Sequence, residues 1–123
     1  RYTEALERTV ELAKKSIEIR TRAVELSVEL EKMTRGLESV KSVEARSVAL
    51  EAVSLRLQLI NRLIDYSDGL LQLVDALSGR FTGGLQPSIV SQLIERINKD
   101  VGEVNDLDVK AQEAMKRFDE LTK

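Results

Sequence analysis

The sequence predicts an all-α fold, an elongated antiparallel up-down-up bundle of three long helices over about 3–36, 43–78 and 87–121. The bundle is open to completion into a larger one by dimerisation. Three observations carry this reading. Apolar residues recur at spacings of three, four and seven along nearly the whole chain. Glycine and proline gather where reversals are needed, at Gly36 and from Gly79 to Pro87. The β-branched residues fall at helical rather than alternating positions, so nothing argues for strands.

At 123 residues the chain reads as a single helical-bundle domain. It starts at Arg1 without an initiating methionine, so it is expected to be a fragment of a longer or processed protein. With 19 basic and 21 acidic residues the net charge is −2, and the balance stays flat along the chain. No bulk electrostatic signal for nucleic acid follows. There is no cysteine, so no disulfide constrains the fold and the compartment is left undetermined. There is no histidine, which removes the commonest general base and metal ligand together. No transmembrane segment is expected, because no stretch approaches ~20 uninterrupted apolar residues.

The first helix is expected to begin near Thr3, as a cap, with Glu4 and Glu7 complementing its positive end. Its seam runs Tyr2, Ala5, Thr9, Leu12, Ser16, Ile19, Ala23, Leu26, Leu30, Met33, Leu37, Val40. The first half of that seam is weak, and a flanking stripe of Leu6, Val10, Ala13, Ile17 and Val24 supplements it. Gly36 is expected to end the helix as a left-handed cap residue, with Ser39 and Ser42 as candidate N-caps for the next. A loop that short makes the first two helices antiparallel neighbours.

The second helix organises the rest. One apolar stripe runs through Val43, Leu50, Val53, Leu57, Ile60, Ile64, Leu71 and Val74. Another runs through Ala45, Ala49, Ala52, Leu59, Leu63, Tyr66, Leu70, Leu73 and Leu77. At ~100° per residue, Leu57 and Leu59 lie about 200° apart. A helix apolar on nearly opposite sides must be covered on both. Its one weak point is Ser67-Asp68-Gly69, read as helix that continues.

The stretch from Ser78 to Pro87 is the strongest break, and Pro87 suits the first turn of the third helix. That helix carries a seam of Val90, Ile94, Ile97, Val101, Val104, Asp108, Ala111, Met115 and Phe118, widened by Leu93, Leu107, Ala114 and Leu121. Asp108 is its one charge, a candidate polar seam residue that sets register or pairs with a base from another helix. In helix number and length the topology resembles the spectrin-type bundle. The tryptophan those repeats carry in the first helix is absent, so the likeness is architectural.

Chemistry is sparse. The acidic run Asp100, Glu103, Asp106, Asp108 lies on a continuous helix that cannot wrap six oxygens around a cation, and reads as a solvated face. Gly83-Gly84 lacks the Lys-Ser/Thr of a phosphate-binding loop. Lys14, Lys15, Arg20 and Arg22 are diluted by Glu11, Glu18 and Glu25, and read as i,i+4 pairs. No catalytic, metal or cofactor site and no enzymatic activity is predicted.

The function expected is a helical interaction or scaffolding module with a protein partner, most simply a second copy. The candidate interface is Ala45, Ala49, Ala52 and Leu59, the end of the second helix that the outer helices cover less well. Phe81 is added as an exposed aromatic in the second loop, or a plug with Leu85 at the end of the bundle. The alternative is an extracytoplasmic sensory or ligand-binding bundle of a bacterial receptor, with Arg20, Thr21, Arg56 and Arg62 as ligand contacts. A third possibility is a secreted protein whose central helix converts on membranes, against which Arg56 and Arg62 argue.

Overall fold

Three helices of 35 residues occupy the places that the apolar periodicities assign: α1 (Tyr2–Gly36), α2 (Val43–Leu77) and α3 (Pro87–Leu121). The computed structural model describes residues 2–79 and 87–123, and among these there is no strand. Each helix spans roughly 50 Å at 1.5 Å per residue. Together they form an all-α three-helix bundle.

The helix ends follow local chemistry. Ser42 caps α2, its hydroxyl accepting from the Ala45 amide at 3.2 Å, and Glu44 sits in the first turn. Pro87 opens α3, where a missing amide hydrogen does no harm. The side chain of Thr3, the expected cap of α1, lies outside the described residues. Gly36 does end α1, but not as a left-handed residue: its φ is −72°. The chain instead tightens into a 3-10 turn, Leu37–Ser39, in which the Ser39 hydroxyl donates to the Gly36 carbonyl at 2.8 Å. The left-handed glycine is Gly79, with φ +68°, directly after the last residues of α2.

Helix α2 is the centre of the layer. It packs against α1 on one side and α3 on the other, and those two meet each other far less. Its buried face is the stripe that includes Ala45, Ala49, Ala52, Leu59, Leu63, Leu70 and Leu73. From α1 it receives Ile19, Ala23 and Leu26, and from α3 Ile97, with Leu93, Val104 and Leu107 packed alongside. At one end the core is built of alanine, which lets the helices approach closely. Ala45, Ala49 and Ala52 are therefore buried within the chain itself, while Ala45 and Ala49 also line an apolar groove at this end.

Most of the expected seam of α3 is buried or half-buried, with its centre shifted toward the flank of Leu93, Leu107 and Ala114. Ile97, Asp100, Ala111 and Ala114 are the buried residues, whereas Ile94 and Asp108 are exposed. The helix is rotated by roughly half a residue step, since i+3 and i+4 neighbours lie about 60° and 40° to either side. Asp108 accordingly sits outside the seam and accepts from the Gln112 side chain at 3.1 Å. The buried charge of α3 is Asp100, so the acidic run is not a uniformly solvated face.

Candidate functional site

Ser67, Asp68 and Gly69 meet three different demands. Ser67 is fully buried against Ser16 of α1, and the pair is joined by three close contacts. The Arg20 guanidinium of α1 forms an ion pair with the Asp68 carboxylate on the outer side of that contact. Gly69 faces α3, where a β-carbon would meet the Ile97 Cγ1 at 3.1 Å. The weak point of the helix is therefore a place of close contact with both neighbours, and α2 runs through it unbroken.

The four residues named as ligand contacts do not converge. Arg20 is engaged by Asp68, and the Thr21 hydroxyl donates to the Ile17 carbonyl of its own helix at 2.9 Å. Arg56 pairs with Glu29 of α1 at 3.0 Å, with its Nε buried and unpartnered. Counted along α2, Asp68 and Arg56 are separated by about 18 Å. Arg62 turns to the other side, reaching Asp65 at 3.0 Å and Glu103 of α3 at 3.2 Å. Phe81 lies outside the described residues. On the basic stretch of α1, Arg22 pairs with Glu25 at 3.5 Å.

Asp100 sits inside the α2–α3 contact with only 5% of its surface exposed, and its Oδ2 has no hydrogen-bond partner. Burial, together with the Asp65 and Glu103 carboxylates, pushes its carboxyl above the ordinary value, against the pull of Arg96 and Arg62. Those same groups compose the outer surface of this contact: Arg62–Glu103, Arg96 with Gln72 at 3.4 Å, and Arg117–Glu51 at 2.9 Å. These charged and polar pairs border the α2–α3 contact, and α3 also exposes Ile89, Ile94, Val109 and Leu121. Among the described residues no three metal-ligating side chains come together, and no helix is long and apolar enough to cross a membrane.

On α1 and α2 the outward apolar residues are more numerous. Ile17 is 65% exposed, Val24 60%, Leu50 52% and Leu57 50%, and Leu6, Val10 and Leu71 are also exposed. The α1 stripe that was expected to reinforce its seam instead faces outward. On α2, the outer ridge is Val43, Leu50, Leu57, Ile64 and Leu71, spaced by seven without interruption. On α1, Val10, Ile17 and Val24 repeat by seven as well. Where the end of α1, the start of α2 and the end of α3 meet, a further apolar groove of about 600 Å³ is lined by Met33, Leu37, Val40, Ala49, Met115 and Phe118.

No protein-family model, no curated protein and no solved structure matches the chain. The arrangement is therefore read from its own residues. The outward ridge of α2 is part of one of the two stripes in the sequence, whose Ile60 is buried and whose Val53 and Val74 are half-buried. Which stripe the neighbours would cover was not visible, because either could face inward.

Proposed function

We propose that this protein is a non-enzymatic helical interaction module that works by self-association, a second copy covering the apolar outer face of α1 and α2. One observation carries the reading. Seven of the large apolar side chains of α1 and α2 (Leu6, Val10, Ile17, Val24, Leu50, Leu57 and Leu71) are 40% or more exposed. At on the order of 100 Å² each they present roughly 700 Å², close to the ~800 Å² that each partner contributes to a standard stable interface. Patches of that size on a lone helical layer mark contact surfaces. A net charge of −2 leaves little long-range repulsion between copies.

Sedimentation of the purified chain at micromolar concentration tests this directly. A species of at least twice the monomer mass is expected. A monomer throughout the concentration range would refute the proposal.

A further inference from the structure

We infer that the apolar groove at one end of the bundle binds a free medium-chain carboxylate. Its hydrocarbon chain lies between α1 and α3, and its anionic head meets Lys41. The site is separate from the surface proposed for self-association, because none of the seven exposed side chains named for that surface lines the groove.

The shape follows from how the helices pack. Because α1 and α3 scarcely meet, they stand at this end as two walls on either side of α2. Met33 and Leu37 come from one wall, Met115 and Phe118 from the other. Ala45 and Ala49 of α2 form the floor, and their short side chains leave the depth that a leucine would fill. The open volume of about 600 Å³ falls within the ~300–1,000 Å³ of small-molecule sites.

The length of the groove selects the guest. From Ala45 to Val53 it runs about 12 Å along α2. A partner helix would be seated along little more than two turns, too little for the ~800 Å² that each side of a stable protein interface contributes. A membrane lipid carries paired chains that each reach about 15 Å, half of the ~30 Å hydrocarbon core. One shorter chain fits.

The chemistry of the lining agrees. The protein has two methionines, and both are here, one on each wall. Thioether side chains turn about several bonds and follow the shape of an apolar guest. Met33, Leu37, Met115 and Phe118 are only half-buried, so apolar surface is left for a guest to cover. The hydroxyls at the rim are already engaged. Ser42 accepts from the Ala45 amide, Ser39 donates to the Gly36 carbonyl and Thr122 to the Phe118 carbonyl. Lys41 is different. It is the one charged residue lining the groove, and it forms no ion pair among the described residues. It also precedes the N-terminal end of α2, where the peptide dipoles favour negative charge. A neutral hydrocarbon would leave this cation unused, and a cationic amphiphile would be repelled by it.

The test is a titration with decanoate, kept below its micelle-forming concentration, of protein labelled with carbon-13 at the methionine methyls. The spectrum has two signals, and both report on the groove. Both are expected to shift along one saturable curve. Lys41→Glu is expected to weaken decanoate binding about fivefold, while binding of decanol, the same chain without the charge, changes by less than about twofold. Lys14→Glu, on α1 away from the groove, should alter neither. Circular dichroism confirms that the variants are folded.

Methyl signals that ignore decanoate overturn the inference. So does a Lys41→Glu variant that binds decanoate as the parent does. Signals that move with protein concentration alone, with decanoate adding nothing, would mean that a second copy fills the groove. A chain that stays monomeric yet binds decanoate through Lys41 upholds this site and refutes self-association.

Discussion

Ser16 and Ser67 hold one another reciprocally across the α1–α2 contact. The Ser16 hydroxyl donates to the Ser67 carbonyl at 2.9 Å, the Ser67 hydroxyl donates to the Ser16 carbonyl at 3.0 Å, and the two hydroxyl oxygens lie 2.8 Å apart. Two protons serve three short contacts, so one of the two hydroxyls shares its hydrogen between the opposite carbonyl and the opposite hydroxyl oxygen. Serine is the only small side chain that fits this closeness and still satisfies its own polar atom. Ser67→Ala is expected to lower the unfolding free energy by about 1 kcal/mol, and Ser67→Leu by about 2–3 kcal/mol through overpacking. Urea unfolding followed by circular dichroism measures both.

Two glycines inside helices make a matched pair. Gly102 has open space where a β-carbon would go, and Gly69 has the Ile97 side chain at 3.1 Å. Gly102→Ala should stabilise the protein by up to about 1 kcal/mol, the ordinary helix-propensity gain. Gly69→Ala should gain nothing or lose stability, because Ile97 is buried and its Cγ1 is not a free chain end. Thermal melts should show a rise for Gly102→Ala and either no rise or a fall for Gly69→Ala.

The Asp100 carboxyl gives a pH dependence with a definite sign. Its folded-state value is raised above the ordinary 3.8, so the folded chain holds this proton after the unfolded chain has released it. Its contribution to stability is therefore greatest below that ordinary value and falls as pH climbs through the raised one. Asp100→Asn removes the buried charge and is expected to stabilise the protein at neutral pH by about 1–2 kcal/mol, with the advantage vanishing near pH 3. Unfolding curves at a series of pH values would show it, and an equal effect at both extremes would contradict the assignment.

Ala52 is fully buried in the alanine-lined part of α2. Ala52→Leu is expected to cost about 1–3 kcal/mol. Were the alanine stripe a partner-facing surface, the larger side chain would cost the free monomer almost nothing. Chemical denaturation at a concentration low enough to favour monomer separates the two cases.

The helix bounds were legible in the sequence to within a residue or two, because Ser42, Gly79 and Pro87 act locally and need no neighbour to be understood. The rotation of the helices was less legible. On α3, Ile94, Val101 and Met115 flank the seam closely enough that two phases fit the apolar pattern. Ile97 belongs to both phases, and the one observed buries Asp100 and Ala114 and leaves Ile94 outside. Small size misled in the same way: Ala45, Ala49 and Ala52 looked thinly covered because alanine buries little, yet a short side chain is what allows close coverage. The outward stripe of α1 was read as reinforcement for a weak seam. Ser16, one source of that weakness, turned out to be a tight contact in its own right.

The triplet Ser67-Asp68-Gly69 works as a keyway cut into α2. Three adjacent residues, pointing about 100° apart, index the helix against α1, the outer face and α3 at once. A residue inserted a few positions away on either side would turn everything beyond it by that same angle while leaving the triplet locked. The two halves of α2 would then belong to different faces. Changes in chain length are therefore expected to be borne by the helix ends and by the two connections, and hardly at all within a few turns of the key.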